Sequence, residues 1–363
     1  MSTHTVPFSE RGGTVRGLLD LFSGRFPAFV LGGAVGSILP VFHFHEVTRE
    51  DLEPKLRHLA DNGYRSVTAT EIAAYVRGDL KRPGRQVALC FDDAWKSLST
   101  VAAPLLKHYG LTAIAYAIPA RIADHDSSPF VTWAELSALH ASGIVDVQSH
   151  TYSHSRVFTA AEPMDFVQPG YEDTLLLNRP QLSPPPALSF LGPADLGAPL
   201  YPMRSRMSDA PRLLVPREAH DRCVALVARE GGARFFARTD WRDRLRAAAS
   251  SSGRPRAETA EEQERALEEE LARSRSILED RLKTRSVHHV CLPWGISGRR
   301  TEAALKRVGY QTAFANRLRG VHAVRPGDDP YWLKRLPNRY IPHLPGHGRR
   351  YWFRPSPPAI APS

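Results

Sequence analysis

The chain has 363 residues, 42% of them hydrophobic, and its 48 Lys and Arg outnumber 38 Asp and Glu for a formal charge of +10. This is enough apolar material for a buried core, which excludes global disorder, and enough length for one large domain with a substantial insertion. Cys90, Cys223 and Cys291 are scattered and odd in number, which excludes a disulfide framework or a CxxC zinc ribbon and suits a reducing compartment.

Residues 1–25 are polar with scattered Arg. The apolar stretch Phe29–Gly36 is shorter than the ~20 residues of a membrane span, starts late and is Gly-rich. Residues 1–39 therefore read as an N-terminal extension without an export signal. The expected location is cytoplasmic, with peripheral membrane contact still compatible. A strand is expected over 40–45, then a helix over 50–62 with Leu52, Leu56 and Leu59 on one face. Tyr64–Val67 is a second extended piece. Thr70 is expected to cap the following helix, which Gly78 closes. Gln86–Phe91 has the length and apolar character of a buried strand and ends in Asp92-Asp93. A helix over 97–109, a strand over 113–118, a helix capped by Thr132 with Glu135 three residues on, and a strand over 144–149 running into His150 follow.

Strands thus alternate with helices, which predicts a parallel α/β architecture, barrel or open sheet. Polar groups gather at strand C-termini, where such folds place their active sites. The rhythm breaks after residue 156. Residues 157–257 are Pro- and Arg-rich, with Pro184-Pro185-Pro186 near the middle, helices expected over 217–229 and 233–249, and a linker at Ser250–Gly253. A long amphipathic helix starts near Glu258, with Leu267, Leu271 and Leu278 on one face. A strand over Val287–Leu292, a helix over 301–308 and a strand over Tyr310–Ala315 complete the pattern. The tail from 342 reads as an irregular surface segment.

Adjacent carboxylates at a strand end suit a metal ligand beside a free base, although Asp is also common in solvated turns and helix caps. His150 and His154 are four apart, a spacing that on a helical turn puts both imidazoles on one face. Two imidazoles and a carboxylate make a three-ligand site for zinc, or for Co, Ni or Fe(II), with a position left for substrate or water.

These segments resemble one family. Cys90-Phe91-Asp92-Asp93 is similar to Thr-Phe-Asp-Asp-Gly, His150-Thr151-Tyr152-Ser153-His154 to His-(Ser/Thr)-x-x-His, and Cys291-Leu292-Pro293-Trp294-Gly295 to Arg-x-Pro-Tyr-Gly, the three motifs of the polysaccharide deacetylases (NodB-homology, carbohydrate esterase family 4-like). Val41–Val47 resembles Leu-x-Tyr-His-x-Val, the N-terminal strand of the branch in which the catalytic-histidine motif stands first. The resemblance covers about 40–156 and 260–340.

It implies a distorted (β/α)7-type barrel built from 40–156 and 258–341, interrupted by the 157–257 insertion and followed by the 342–363 tail. It implies Asp93, His150 and His154 as ligands of one divalent ion, zinc first. Asp92 would be the base that activates the attacking water, and His45 the acid that protonates the leaving amine. Trp294 and Pro293 would line the oxyanion site, with the Trp294 backbone N–H as donor. The implied reaction removes an N-acetyl or O-acetyl group from an amino sugar, glycan or glycoconjugate. The alternatives are a C–N hydrolase acting on a non-sugar amide and a catalytically silent carbohydrate-binding barrel.

Two positions depart from the pattern. Ala94 stands where Gly is usual, so an ordinary φ is expected there. Cys291 stands where the main branch has the Arg that orients the base, which leaves the partner of Asp92 unnamed. Cys90 and Cys291 read as small core residues. Of His288 and His289, one is expected to face the barrel, neither as a ligand. His343 and His347 read as surface residues. The insertion is expected to act as a lid, with Arg204, Arg206, Arg212, Arg217 and Arg222 available for an anionic group on the substrate. The alternative is a solvated Arg-rich segment. Nucleic acid is not expected as a partner.

Overall fold

The computed structural model describes residues 27–80, 84–126, 128–171, 177–183, 187–250, 254–315 and 323–350. The readings of residues 1–25, of Pro184-Pro185-Pro186, of the Ser251–Gly253 part of the linker and of the tail beyond 350 lie outside the described residues. The described chain divides into two compact units, one within Met1–Tyr152, Leu271–Gly295 and Lys306–Ser363, the other within Ser153–Glu270 and Ile296–Leu305.

The first unit is an α/β fold around one parallel sheet. Its strands are β1 (Val41–Phe44), β2 (Arg65–Ser66), β3 (Gln86–Asp93), β4 (Ala113–Ala117), β5 (Val145–Ser149), β6 (His289–Cys291), β7 (Thr312–Phe314) and β8 (Leu336–Pro337). They run in the order β7-β6-β5-β4-β3-β1-β8, with β2 beside β3. The end strands do not pair with one another along their length, but Leu333, just ahead of β8, bridges Phe314 of β7. The sheet is therefore a curled, incompletely closed form of the distorted barrel expected. The register sets Phe44 beside Phe91 and Asp92 beside Tyr116. It thus aligns the C-terminal ends of β1, β3 and β4.

Helices wrap this sheet because their sequences carry apolar stripes and caps. α1 (Arg49–Asp61) starts at Thr48, whose side chain accepts from Asp51 N, and it buries Leu52, Leu56 and Leu59 completely. α2 (Ala69–Arg77) is capped by Thr68 rather than Thr70, because only Thr68 has Glu71 three residues on to close a capping box. Gly78 ends it at φ 84°. The expected 97–109 helix opens with a π-helical turn, Leu98–Ala102, before α3 (Ala103–His108). Pro104 has no N–H to donate into a regular ladder there. α4 (Trp133–Ala141) carries the expected Thr132–Glu135 capping box. Within the core Phe44 stacks on Phe91 with ring centroids 4.7 Å apart. Burying such a side chain contributes about 2–3 kcal/mol.

The second unit has short antiparallel ladders, such as Met203–Ser205 against Arg156–Phe158 and Leu213–Leu214 against Arg256–Ala257. Its own small core gathers Phe166, Cys223, Val227, Phe235, Trp241 and Leu245 between α5 (Arg217–Arg229) and α6 (Trp241–Ser250). The helix expected over 233–249 is split. Gly231 and Gly232 take positive φ, a 3-10 turn covers Gly232–Ala237, and Arg238 is extended before α6 begins. α7 (Ala260–Leu282) begins in this unit and continues into the first, where Leu278 and Leu282 belong to the core. α8 (Arg299–Val308) precedes β7. Among the described residues no helix is long and apolar enough to cross a membrane.

Candidate active site

The two aspartates of β3 are buried, each 2% exposed, and they do different things. Asp92 accepts two charge-assisted hydrogen bonds from Arg335, Nη1 to Oδ1 at 2.6 Å and Nη2 to Oδ2 at 2.7 Å. Burial alone would raise the Asp92 pKa, but the Arg335 guanidinium overrides this and holds the carboxyl well below the usual carboxylate range. Arg335 supplies the partner that the sequence left unnamed. It packs over the Tyr116 and Phe314 rings, at 5.9 Å and 5.6 Å. No motif surrounds it and it lies 243 positions from Asp92. Its one signal is a cation directly ahead of the short apolar piece Leu336-Pro337.

Asp93 turns away from Arg335. Its Oδ2 accepts from Trp95 Nε1 at 3.0 Å, and its Oδ1 lies 3.3 Å from His150 Nε2. Asp93 and Ala94 both adopt left-handed backbone, φ 68° and φ 56°. The expected ordinary φ at Ala94 is therefore wrong. The chain has to reverse directly after β3, and the 129–131 segment clamps it in that turn. Val131 N donates to Ala94 O at 2.9 Å, and Lys96 N donates to Pro129 O at 2.7 Å. A left-handed non-glycine residue costs roughly 1–2 kcal/mol. Six described non-glycine residues have positive φ, and five of them, Asp93, Ala94, Thr151, His154 and Trp294, fall in the three motifs. Such strain concentrates where function holds the backbone in place.

His150 follows β5 and is buried. Its Nδ1 lies 2.7 Å from the Cys291 carbonyl. A carbonyl only accepts, so Nδ1 carries a proton and Nε2 is the ring atom that faces Asp93. His154 has the same arrangement, with Nδ1 3.1 Å from the Leu177 carbonyl. The turn between them is not helical as the spacing suggested. Thr151 and His154 are left-handed, and Ser153 gives both its backbone N–H and its hydroxyl to Glu270 Oε1, each at 2.6 Å. No helical ladder can pass through that residue.

Ligand atoms of Asp93, His150 and His154 lie within 4.8 Å of one another, as do those of Asp92, His150 and Cys291. The first set suits a divalent ion better. Asp92 has both oxygens on Arg335, whereas the first set combines one carboxylate with two imidazoles whose Nδ1 atoms are fixed by carbonyls.

His45 follows β1, half exposed, with Nε2 3.7 Å from Asp92 Oδ2. His43, two residues back, is largely buried, and burial together with Arg335 pushes its pKa down to about 3. The Pro293–Gly295 turn follows β6. Pro293 is buried, and Trp294 takes φ 55° and is 36% exposed. Cys90 and Cys291 are fully buried free thiols in the core. His289 faces inward and meets Thr312 Oγ1 at 2.8 Å, whereas His288 lies beside Arg275. His343 and His347 belong to the C-terminal segment; the His347 N–H donates to Asn62 Oδ1.

The insertion arginines are engaged within their own unit. Arg206 pairs with Glu258 at 2.7 Å, Arg212 donates to the Gln181 and Leu182 carbonyls, and Arg222 to the Ala248 carbonyl. Arg217 is exposed beside Asp221 at 3.5 Å.

Comparison with known proteins returns deacetylases in both sequence and fold. The family model described as polysaccharide deacetylase matches residues 79–169, a span that includes Asp92, Asp93, His150 and His154. Bacillus subtilis YxkH, named as a polysaccharide deacetylase, is 27% identical over 124 residues, 32% of this chain and 43% of the relative. The Escherichia coli K12 poly-beta-1,6-N-acetyl-D-glucosamine N-deacetylase is 28% identical over 122 residues, 30% of this chain and 18% of the relative. The chain thus spans less than half the length of these curated relatives. Among solved structures, the BpsB deacetylase domain of Bordetella bronchiseptica shares the fold with a TM-score of 0.54 at 15% identity, covering 84% of this chain and 97% of that one. IcaB from Ammonifex degensii does so with a TM-score of 0.50 at 19% identity, covering 85% and 95%. Residues 79–169 thus match the polysaccharide deacetylase model, and the chain is similar to proteins named as deacetylases.

Proposed function

We propose that the chain is a metal-dependent hydrolase that removes the N-acetyl group from an amino sugar within a glycan or glycoconjugate. The observation that carries this reading is the division of labour between neighbouring aspartates. Asp92 is held ionised by Arg335 and lies 3.7 Å from His45, while Asp93 faces His150 at 3.3 Å. Asp93, His150 and His154 would hold the ion. Bound there, a divalent ion, zinc first among the candidates, supplies Lewis acidity for the acetyl carbonyl and its attacking water.

The chain's own groups do the rest. Asp92, fixed in orientation by two bonds to Arg335, accepts the proton of the attacking water. His45, accessible at the rim, donates a proton to the departing amine, which leaves poorly as an anion. The Trp294 backbone N–H serves the developing oxyanion, and its left-handed backbone orients the peptide. Three buried free thiols suit the reducing, cytoplasmic setting expected of the sequence. A lid role for the second unit remains part of the proposal, but Arg206, Arg212 and Arg222 already serve that unit's own structure.

The test is acetate release. The first substrate to try is an oligomer of β-1,6-linked N-acetylglucosamine, because the Escherichia coli relative is named for that polymer. An O-acetylated sugar and a non-sugar acetamide serve as comparisons. Release from the N-acetyl sugar that is lost in Asp92→Asn supports the reading. Release only from the acetamide supports the non-sugar hydrolase, and release from none of the three overturns it.

A further inference from the structure

One polar group beside the site remains without a role in this reading: the Trp95 indole. Its N–H donates to Asp93 Oδ2 at 3.0 Å while Asp93 Oδ1 faces His150. The indole is itself held. Its ring lies 4.9 Å from the Phe130 ring, tilted by 38°, and Trp95 bridges Phe130 through the backbone as well. The flanking backbone bonds from Val131 to Ala94 and from Lys96 to Pro129 lock this segment to the turn.

We infer that Trp95 is a positioning residue for the metal site: its indole N–H occupies one oxygen of Asp93 and so presents the other, Oδ1, as a single-oxygen ligand. This inference rests on the proposed metal-dependent reading. Two observations point the same way. The donor is a neutral N–H, which orients a carboxylate without neutralising its charge, so the charge remains available to a cation. Asp93 also sits in left-handed backbone on a clamped turn, and a carboxylate free to rotate about χ2 there would swing between one- and two-oxygen binding. An indole braced against Phe130 stops that rotation. Partners of this kind typically alter metal affinity 10- to 100-fold, roughly.

The test is the affinity of the purified full chain for Co²⁺, followed by visible absorption and by competition with a chelator, for wild type and Trp95→Phe. Phe keeps the ring against Phe130 and removes only the N–H. The expected result is one Co²⁺ per wild-type chain and a dissociation constant about 10-fold or more higher in W95F, with altered Co²⁺ absorption bands. A W95F dissociation constant within about twofold of wild type, with unchanged bands, overturns the inference and leaves the metal reading intact. Failure of the wild type to bind overturns the metal reading itself. A measurement on unaltered protein guards against a variant that misfolds. Six tryptophans give six indole N–H signals in ¹⁵N-labelled protein. Binding of Zn²⁺ should shift one of them strongly and slow its hydrogen exchange; no strongly shifted indole signal contradicts the proposal.

Discussion

Arg335→Met tests how Asp92 is held. The pair is buried, with Asp92 2% exposed and the Arg335 side chain 13%, and its two bonds are 2.6 Å and 2.7 Å long. Removing one partner leaves the other charge buried and uncompensated, a loss of about 3–5 kcal/mol. Asp92→Asn should cost a similar amount, because it leaves a buried guanidinium. The double variant leaves neither charge, so its loss should fall short of the sum of the single losses by about 2–3 kcal/mol. Folding free energies from denaturant titration at pH 7 measure this cycle. The pH matters because the folded-state pKa of Asp92 is depressed. Its contribution is complete above the unfolded carboxylate value of about 3.9 and is lost as pH falls through the folded value, so the Arg335→Met deficit should shrink in acid. Additivity within about 0.5 kcal/mol would refute the claim that the pair acts as a unit.

Other consequences follow from single groups. His45→Ala should lower kcat for an N-acetyl sugar by about 10²- to 10⁴-fold but for p-nitrophenyl acetate by less than about 10-fold, since that leaving group needs no proton; equal losses on both would remove His45 from the acid role. Glu135 accepts from Thr132 and Lys96, and although burial opposes it these partners hold its pKa down to about 2 from an ordinary 4.5. Glu135→Gln should therefore cost about 1 kcal/mol of stability at pH 7, and the gap should close as pH falls from 4.5 towards 2; a gap independent of pH in denaturant titrations would contradict this. Glu270→Ala should cost about 2–3 kcal/mol in the same assay by stranding the Ser153 N–H and hydroxyl, with Glu270→Gln milder because it keeps an acceptor; equal effects of the two would contradict the assignment.

The parallel sheet was legible because its strands are apolar runs that end in polar chemistry, and the helices because their stripes and caps are local. Local ambiguity explains the misplaced cap. Thr68 and Thr70 are both acceptable capping residues, and only the reach of Glu71 back to Thr68 decides between them. Ala94 misled for a different reason. Its left-handed turn is imposed by the distant 129–131 segment, a tertiary contact that overrides the preference of an alanine. Arg335 was invisible because nothing near it in sequence marks a role, although the chemistry required a cation at Asp92. The same holds for Glu270, which fixes the turn between the two histidines from 117 positions away. The four-residue spacing of His150 and His154 suggests a helical turn, which the bonds of Ser153 to Glu270 and the left-handed Thr151 and His154 forbid. Charge alone makes the insertion arginines available either to an anionic group or to solvent, and it does not reveal that Arg206 already faces Glu258.

The central claim, that Asp93 and the two histidines hold an ion on which deacetylation depends, is tested most directly by stripping the purified chain with a chelator, reloading it with zinc, and measuring acetate release from N-acetylglucosamine oligomers beside Asp93→Asn. The account predicts that the stripped protein is inactive, that one equivalent of zinc restores it, and that the variant neither retains zinc nor recovers. Undiminished release from the stripped protein, or from Asp93→Asn, would contradict it.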